Sequence, residues 1–346
     1  MNFLNRIWRS NFFIKLRHWE YWPFGVLQFP IFFYYLWLSL RARSFFFFSA
    51  SNPGIEMGGM LGESKFSILQ KIPETYRAKA LFIPRGTTAD ALLHLIAAND
   101  FAFPLVFKPD LGERGYRVER IYSATEARNY VSTFYFDFIV QELVDLPLEF
   151  GVFYKRLPSE SSGTVFSIVG KEMLTVTGDG KSSLRELILN KDRAKLQWEK
   201  LAQRHAPRLD TVIAKDESVV LNSIGNHCLG TLFLDNNCLI NKKLTASFDR
   251  ISKEIEGFYY GRFDLRCASV EDLNEGRVKI MELNGCGAEP AHIYQPGYSF
   301  WKAVGNMMDH WRSIFDVAVQ NKERGTHYLT YKEVRLYYRK FKEAVG

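Results

Sequence analysis

The sequence predicts an α+β protein: antiparallel strand pairs interleaved with helices, behind a helical segment of membrane-interface character over residues 1–50. Three observations lead there. Glu149 to Leu157 and Gly163 to Val169 read as successive strands near enough in sequence to pair antiparallel. Gly261 to Pro290 carries a second strand pair, with polar residues at alternate positions. The first fifty residues concentrate Phe, Trp and Arg around an uncharged run from Tyr21 to Leu40.

The second strand pair organises the rest. Arg262 and Asp264 are two apart, as are Glu282 and Asn284, so in extended chain each pair points to one face. Glu271 to Gly276 between them has turn chemistry. If the hairpin closes near Leu273, Asp264 lies opposite Glu282 and Arg262 opposite Asn284. One face then holds two carboxylates, an amide oxygen and a guanidinium, flanked by Phe263, Leu265, Ile280, Met281 and Leu283. All-oxygen ligands suit Mg2+, which completes its shell with water and substrate phosphate. Upstream, Phe103 to Lys108 is a strand, followed by a loop with Gly112 and Gly115. Such a loop lays backbone N–H groups against phosphates, with a lysine as a point charge. It lacks the Gly-x-x-x-x-Gly-Lys-Ser/Thr spacing and is not a P-loop.

Arg-x-Asp followed by Glu-x-Asn-Gly resembles the magnesium strands of the ATP-grasp superfamily, D-alanine–D-alanine ligases among them. The resemblance runs from about Lys65 to Val319. It implies two α+β subdomains gripping ATP, with Asp264, Glu282 and Asn284 binding two Mg2+ ions, for which Mn2+ could substitute. Arg262 would stabilise the acyl phosphate and the tetrahedral intermediate. Phe107-Lys108-Pro109 resembles the family's Val-Lys-Pro strand, which puts Lys108 on the α/β-phosphates and Gly112 and Gly115 in the phosphate loop. Val140 to Val144 resembles the segment joining the subdomains. Its backbone, through Val144, would read adenine, and Glu142 would accept from the exocyclic amine. Glu149 resembles the ribose-binding carboxylate, although Pro147 and Leu148 stand where the family has glycine. Ser64-Lys65 resembles an Asp-Lys pair without its aspartate, and Lys65 would reach the nucleotide. Thr177 to Leu187 resembles a segment of cyanophycin synthetases. It makes Lys181 the candidate lysine over the γ-phosphate. Lys171 competes for that role, and an ordinary Gly-Asp-Gly turn capping a helix through Ser182 is the alternative. His292 follows the metal strand where the family places substrate contacts, and is a stronger candidate than His227. Family members usually carry a Rossmann-like domain ahead of the grasp; here that space is taken by the apolar segment.

Taken in order, residues 1–19 set Arg6, Arg9, Lys15 and Arg17 among large apolar side chains, an amphipathic pattern suited to a bilayer interface. Tyr21 to Leu40 is long enough to cross a membrane, but both flanks are basic and Pro23 and Pro30 should break or kink a helix. A re-entrant or monotopic segment entered from the cytoplasmic face is the expectation, with a single span or a helix packed under the soluble domain as alternatives. A signal peptide does not fit, because the apolar run is too long and starts too late. Ser51 to Gly62 reads as a linker and Lys65 to Lys71 as a short helix. Strands at Ala80–Ile83, Phe103–Lys108, Arg117–Ile121 and Phe136–Val144 alternate with helices at Thr87–Ala98 and Thr125–Ser132. After the two long strands come helices at Ser183–Leu189 and Lys191–Arg204. Thr231–Leu234 is expected to pair with Cys238–Ile240 across Asp235 to Asn237. Helices at Leu244–Phe258, Phe300–Val319 and Thr330–Ala344 complete the chain. The segments are 1–50, 51–102, 103–320 as the grasp domain, and a basic helix over 321–346.

The net charge of +7 and pI of about 9.1 raise nucleic acid as a partner. No helix-turn-helix, finger or RNP-like motif supports it, and the excess lies at the two ends, so anionic lipid is the better match. Cys228, Cys238, Cys267 and Cys286 lack CxxC or zinc-like spacing and read as free thiols. The expected function is an ATP-dependent ligase joining a small or amphiphilic carboxylate to an amine or thiol at the cytoplasmic face of a membrane. A kinase on the same fold and an inactive nucleotide-binding adaptor are the rivals. Neither substrate identity nor oligomeric state is legible.

Overall fold

The structure is a computed structural model and describes residues 10–112, 115–133, 135–222 and 230–345; His227 and Cys228 lie outside these. In chain order, α1 (Asn11–Arg17) and α2 (Phe24–Ala42) are followed by α3 (Lys65–Gln70), β1 (Ala80–Ile83), α4 (Ala89–Ala98), β2 (Leu105–Pro109), β3 (Glu119–Ile121), α5 (Ala124–Thr133) and β4 (Phe138–Glu142). Next come β5 (Leu148–Lys155), β6 (Thr164–Glu172), β7 (Thr175–Thr177), α6 (Leu184–Asn190), α7 (Asp192–Lys195), α8 (Trp198–Arg204), β8 (Ser218–Val220) and β9 (Leu232–Asp235). The chain closes with α9 (Lys242–Lys253), β10 (Tyr260–Cys267), α10 (Val270–Glu275), β11 (Lys279–Asn284), α11 (Phe300–Glu323) and α12 (Tyr331–Val345).

Two antiparallel sheets frame the molecule, as the α+β reading expected. The first has the order β1-β4-β2-β3 and the second β11-β10-β5-β6-β9. Helices α4 and α5 cover the first through Leu92, Ile96, Ala127 and Tyr130, which meet Phe107, Phe138 and Val140. A small unit built on β7 and β8 carries α6 to α8 on its own core of Leu184, Ile188, Leu201 and Ile213.

Alternation along the second sheet decides what lies on each side. Phe150, Val152, Phe263 and Leu265 point one way and pack on α3 and α9 through Ile68, Leu69, Phe248 and Ile251. The intervening positions point the other way. There, Phe153 and Tyr260 join α2, α11 and the turn at Phe47–Ala50 through Leu38, Phe47, Phe48 and Ile314. The N-terminal segment is therefore part of the core. Leu27 and Ile31 extend this contact onto Ile293, Ala303 and Met307.

Several local expectations change. Pro23 is the N-cap of α2, and Pro30 lies inside the helix without ending it. A proline there forgoes one backbone hydrogen bond, and the packing of Ile31, Tyr35 and Leu38 offsets the loss. No helix among the described residues is long and apolar enough to cross a membrane. Ser51 to Gly62 is not a loose linker. Asn52 donates to the carbonyls of Gly58 and Tyr260 and accepts from the N–H groups of Tyr259 and Tyr260. Gly59 has φ of 80°, and a Cβ there would sit 2.6 Å from Gly285 Cα, so the glycines permit backbone to lie on backbone. The 271–276 turn is the short helix α10, N-capped by Ser269 and ended by Gly276 at φ 74°. The expected 231–240 hairpin does not form. β9 pairs with β6 instead, and Asn237–Leu239 is a 3-10 turn.

Candidate active site

In the β10–β11 ladder Arg262 faces Asn284 and Asp264 faces Glu282, the register that alternation predicts. On its other edge β10 pairs with β5, which sets Asp264 opposite Gly151. A Cβ at Gly151 would lie 2.8 Å from Val169 Cγ1 and 3.1 Å from Arg262 Cδ. The absent side chain is what lets neighbouring strands bring their polar groups together. Lys171, two residues beyond Val169 and on the same face, places Nζ 2.9 Å from Asp264 Oδ1 and 3.4 Å from Glu149 Oε1. Arg262 Nη2 donates to Asp264 Oδ2 at 2.9 Å, as does Asn284 Nδ2 at 2.9 Å.

These groups wall a cavity of about 650 Å3 between the two sheets. The first sheet contributes Lys108, Gln141 and Glu142, and the loop after β2 contributes Gly112 and Gly115. Lys108 Nζ donates to the carbonyl of Met281 at 3.1 Å, and Lys65 Nζ to that of Gly112. Gly112 and Gly115 have φ of 147° and 72°, which L side chains rarely adopt. Val144 and Glu149 lie at the join between the sheets. The far wall comes from Glu289, Tyr294 and Phe300 together with Trp19, Trp22 and Leu27 of the N-terminal segment.

The electrostatics suit anionic phosphate. Burial disfavours the charge of Asp264, but Arg262 and Lys171 outweigh it and hold its pKa at about 2. Burial likewise works against Lys171, where Asp264 and Glu149 outweigh it and raise the pKa. At Lys108 burial wins: the pKa is lowered, Lys65 adding to the effect and Glu282 and Asp264 opposing it. A phosphate arriving beside Lys108 would add its counter-charge to that of Glu282 and Asp264. Among the described residues no group of three or more His, Cys, Asp or Glu is arranged as a closed metal site. Asp264, Glu282 and Asn284 instead offer two carboxylates and an amide on the cavity wall. That donor set fits an Mg2+ ion drawing its remaining ligands from phosphate and water.

Of the residues singled out in sequence, Arg262, Asp264, Glu282, Asn284, Lys65, Lys108, Gly112, Gly115, Glu142, Val144 and Glu149 all line this one cavity. Glu149 is more constrained than a ribose ligand needs to be, because Arg266 Nη2 also donates to it at 2.8 Å. Two candidates lie elsewhere. Lys181 is exposed on the turn leading into α6. There Asp179 accepts from the N–H groups of Lys181 and Ser182 at 2.8 and 2.6 Å, and the helix is capped by Ser183. This is a turn and cap as that alternative expects, but with Ser183 and not Ser182 as the cap, and the lysine beside the acidic face is Lys171. His292 is buried behind the wall, its Nδ1 2.7 Å from Ser167 Oγ. Sequence reading missed Arg266 and Glu289. Arg266 continues the Arg262, Asp264 alternation and was legible in principle; Glu289 was not, because its place depends on the N-terminal segment. Cys267 and Cys286 are buried free thiols and Cys238 is an exposed one; burial pushes Cys286 up to about 12.

Compared by sequence, the chain matches no protein-family model and no curated protein. Compared by structure, it is similar to several solved ligases and spans less than two thirds of the length of some of them. It is similar to the D-alanine–D-alanine ligase from Bacillus anthracis, at 13% identity and a TM-score of 0.41, over 76% of this chain and 69% of that one. It is similar to the ATP-grasp ligase PsnB complexed with minimal precursor, at 11% identity and a TM-score of 0.36, over 71% of this chain and 60% of that one. It is also similar to a bifunctional glutathione synthetase from Pasteurella multocida, at 15% identity and a TM-score of 0.39, over 70% of this chain and 35% of that one.

Proposed function

We propose that this protein is an ATP- and Mg2+-dependent ligase that joins a carboxylate to an amine or thiol through an acyl phosphate, on a substrate held at a membrane surface. One observation carries the ligase reading. The β10–β11 register brings Arg262, Asp264, Glu282 and Asn284 to one wall of a cavity whose opposite wall presents Lys108 and a glycine loop. Lys65, Lys108 and the loop bind the phosphates of ATP. Asp264, Glu282 and Asn284 would hold Mg2+, which would supply charge neutralisation and Lewis acidity to the phosphates. Glu142 and Val144 sit where adenine would lie, and Glu149 beside them where ribose would. The substrate carboxylate attacks the γ-phosphorus and ADP leaves. The nucleophile then attacks the acyl carbon, and Arg262 stabilises the oxyanion. Lys171 shares the acidic face and offsets charge on the transferred phosphoryl group.

The membrane part rests on the outer face of α1 and α2. Phe12, Val26, Phe29, Phe32, Phe33, Trp37 and Leu40 are exposed, Leu40 to 78%. That is a larger run of exposed aromatic and aliphatic side chains than an isolated surface leucine. With basic residues on both flanks it suits a monotopic contact with an anionic cytoplasmic leaflet. Two Mg2+ ions, and Mn2+ in their place, belong to the same reading.

The test is turnover. Purified protein is incubated with Mg2+-ATP and a fractionated lipid and metabolite extract, and products are analysed by mass. ADP with a new amide or thioester is expected. ADP with a phosphoester would identify a kinase, and nucleotide binding with no turnover an adaptor; either overturns the ligase reading. Recovery of the protein in the soluble fraction at low salt, with no vesicle binding, would overturn the membrane part alone.

A further inference from the structure

The segment that crosses from one sheet to the other is held by a side chain with no part in the phosphate or metal contacts described above. We propose that Arg266 is the positioning residue for the nucleoside half of the cavity: it fastens the crossing to β10 and fixes the carboxylate of Glu149, so that adenine and ribose meet a wall already set. This rests on the nucleotide part of the function proposed above and adds to it a residue that acts through others.

β4 ends at Glu142 and β5 begins at Leu148, so Leu143 to Pro147 lie outside both sheets. Arg266 stands on β10 directly opposite Glu149 on β5. Its Nε and Nη2 donate to Glu149 Oε2 at 3.1 and 2.8 Å. Its Nη1 donates to the carbonyls of Val144 and Leu146, each at 3.2 Å. A single guanidinium thus joins β5, β10 and the crossing. The side chains of Arg266 and Glu149 are only 15% and 9% exposed, and both line the cavity with Glu142, Leu143 and Val144.

Backbone that leaves a sheet has no ladder to satisfy its carbonyls or to fix its peptide planes. The crossing contains no glycine, and Pro147 brings no N–H and biases Leu146 toward extended backbone. Arg266 supplies what the ladder would have supplied, at Val144 and at Leu146. A planar fork can meet a carboxylate and two carbonyls together, which the compact ammonium of a lysine cannot do as well. At Glu149 both bonds fall on Oε2. Oε1, 3.4 Å from Lys171 Nζ, is the oxygen left to accept from a ribose hydroxyl.

A wall fixed before its ligand arrives avoids the ordering cost of binding. The phosphate half is set by other elements: Lys65 on α3, Lys108 on β2 and the glycine loop. Loss of Arg266 is therefore felt by a ligand that carries adenosine and not by one that carries phosphates alone.

The full-length protein is titrated calorimetrically with Mg2+-ATP and with Mg2+-tripolyphosphate, which has the phosphates without the nucleoside. Arg266→Met keeps the apolar stem and removes the fork. It should weaken ATP binding at least about tenfold and tripolyphosphate binding by no more than about twofold. Arg266→Lys keeps the charge, should bind ATP about threefold more weakly than the wild type, and serves if Arg266→Met does not fold. Lys108→Ala, on the phosphate half, should weaken both ligands. Unchanged ATP affinity in either folded Arg266 variant overturns the assignment. So does an equal loss for the two ligands, because an arginine that only supports the fold would weaken both alike. No ATP binding by the wild type would remove the nucleotide reading and this assignment with it; ATP binding by the wild type without a selective loss in the variants removes the assignment alone.

Discussion

The β10–β11 hairpin and the N-terminal segment are the two most strongly patterned stretches of the chain, and they reached their structures by different routes. In the hairpin, period-two alternation was sufficient. Once two strands pair antiparallel, polar residues two apart must share a face, and the register was in place whatever covered it. In α2 the apolar residues run all the way round, so no face is marked. The fold uses one side to cover the second sheet, burying Leu27, Ile31 and Leu38, and leaves Phe29, Phe33 and Leu40 outside. A helix of this composition announces that it will be covered, but not by what. The two regions then meet, because the inner side of the segment closes the cavity that the hairpin opens.

The largest effect expected is on the hairpin. On the proposed function, Asp264→Asn or Glu282→Gln should lower ADP formation by about a thousandfold or more while leaving the circular dichroism spectrum unchanged, because each would remove a charge that the proposed Mg2+ site needs. Wild-type turnover in either variant would mean that the paired carboxylates are only a polar strand face.

The inner and outer sides of the N-terminal region should separate next. Phe47→Ala, at a fully buried position, should cost about 3–5 kcal/mol in denaturant unfolding. Phe33→Ser, on the exposed side of α2, should change stability by no more than about 0.5 kcal/mol and weaken binding to anionic vesicles about tenfold. Equal stability losses would show that the outer face is covered by protein.

The two lysines sharpen the same contrast between a residue placed by tertiary structure and one placed by a local motif. Lys171→Ala should lower stability by up to about 3 kcal/mol, since it removes the buried cation that Asp264 and Glu149 share and leaves them to Arg262 and Arg266, and turnover should fall with it. Lys181→Ala should leave both within about twofold. Lys108→Ala should weaken ATP binding about tenfold, or about 1.4 kcal/mol; an unchanged affinity would remove the phosphate loop from the site.

A further effect is expected in the seam where the two regions join. His310 lies in that core with Nδ1 2.7 Å from the Tyr260 hydroxyl, and burial lowers its pKa from 6.5 to about 3. Above about pH 6.5 folded and unfolded chains both carry it neutral, and it has no effect on the pH slope. As pH falls below that, the unfolded chain takes up the proton and the folded chain does not, so stability should drop by about 1.4 kcal/mol per pH unit. Urea unfolding between about pH 6.5 and 4.5 should show this slope, and His310→Gln should flatten it by that amount.

By itself the sequence determined the α+β class, most strand and helix positions, and the face on which Arg262, Asp264, Glu282 and Asn284 stand. Each follows from interactions among residues near in the chain: side-chain period, turn and cap chemistry, and hairpin geometry. What it could not determine depended on partners far away. Pro30 sits within a helix because α11 supports the turns around it. The glycines of 51–62 are buried because Gly285 lies against them. Lys171 rather than Lys181 faces Asp264 because β5 and β6 bring it there past the gap left by Gly151. Glu289 enters the cavity beside Gln28, a residue 261 positions earlier. No periodicity records a contact of that span; only the closure of the N-terminal segment over the second sheet makes it.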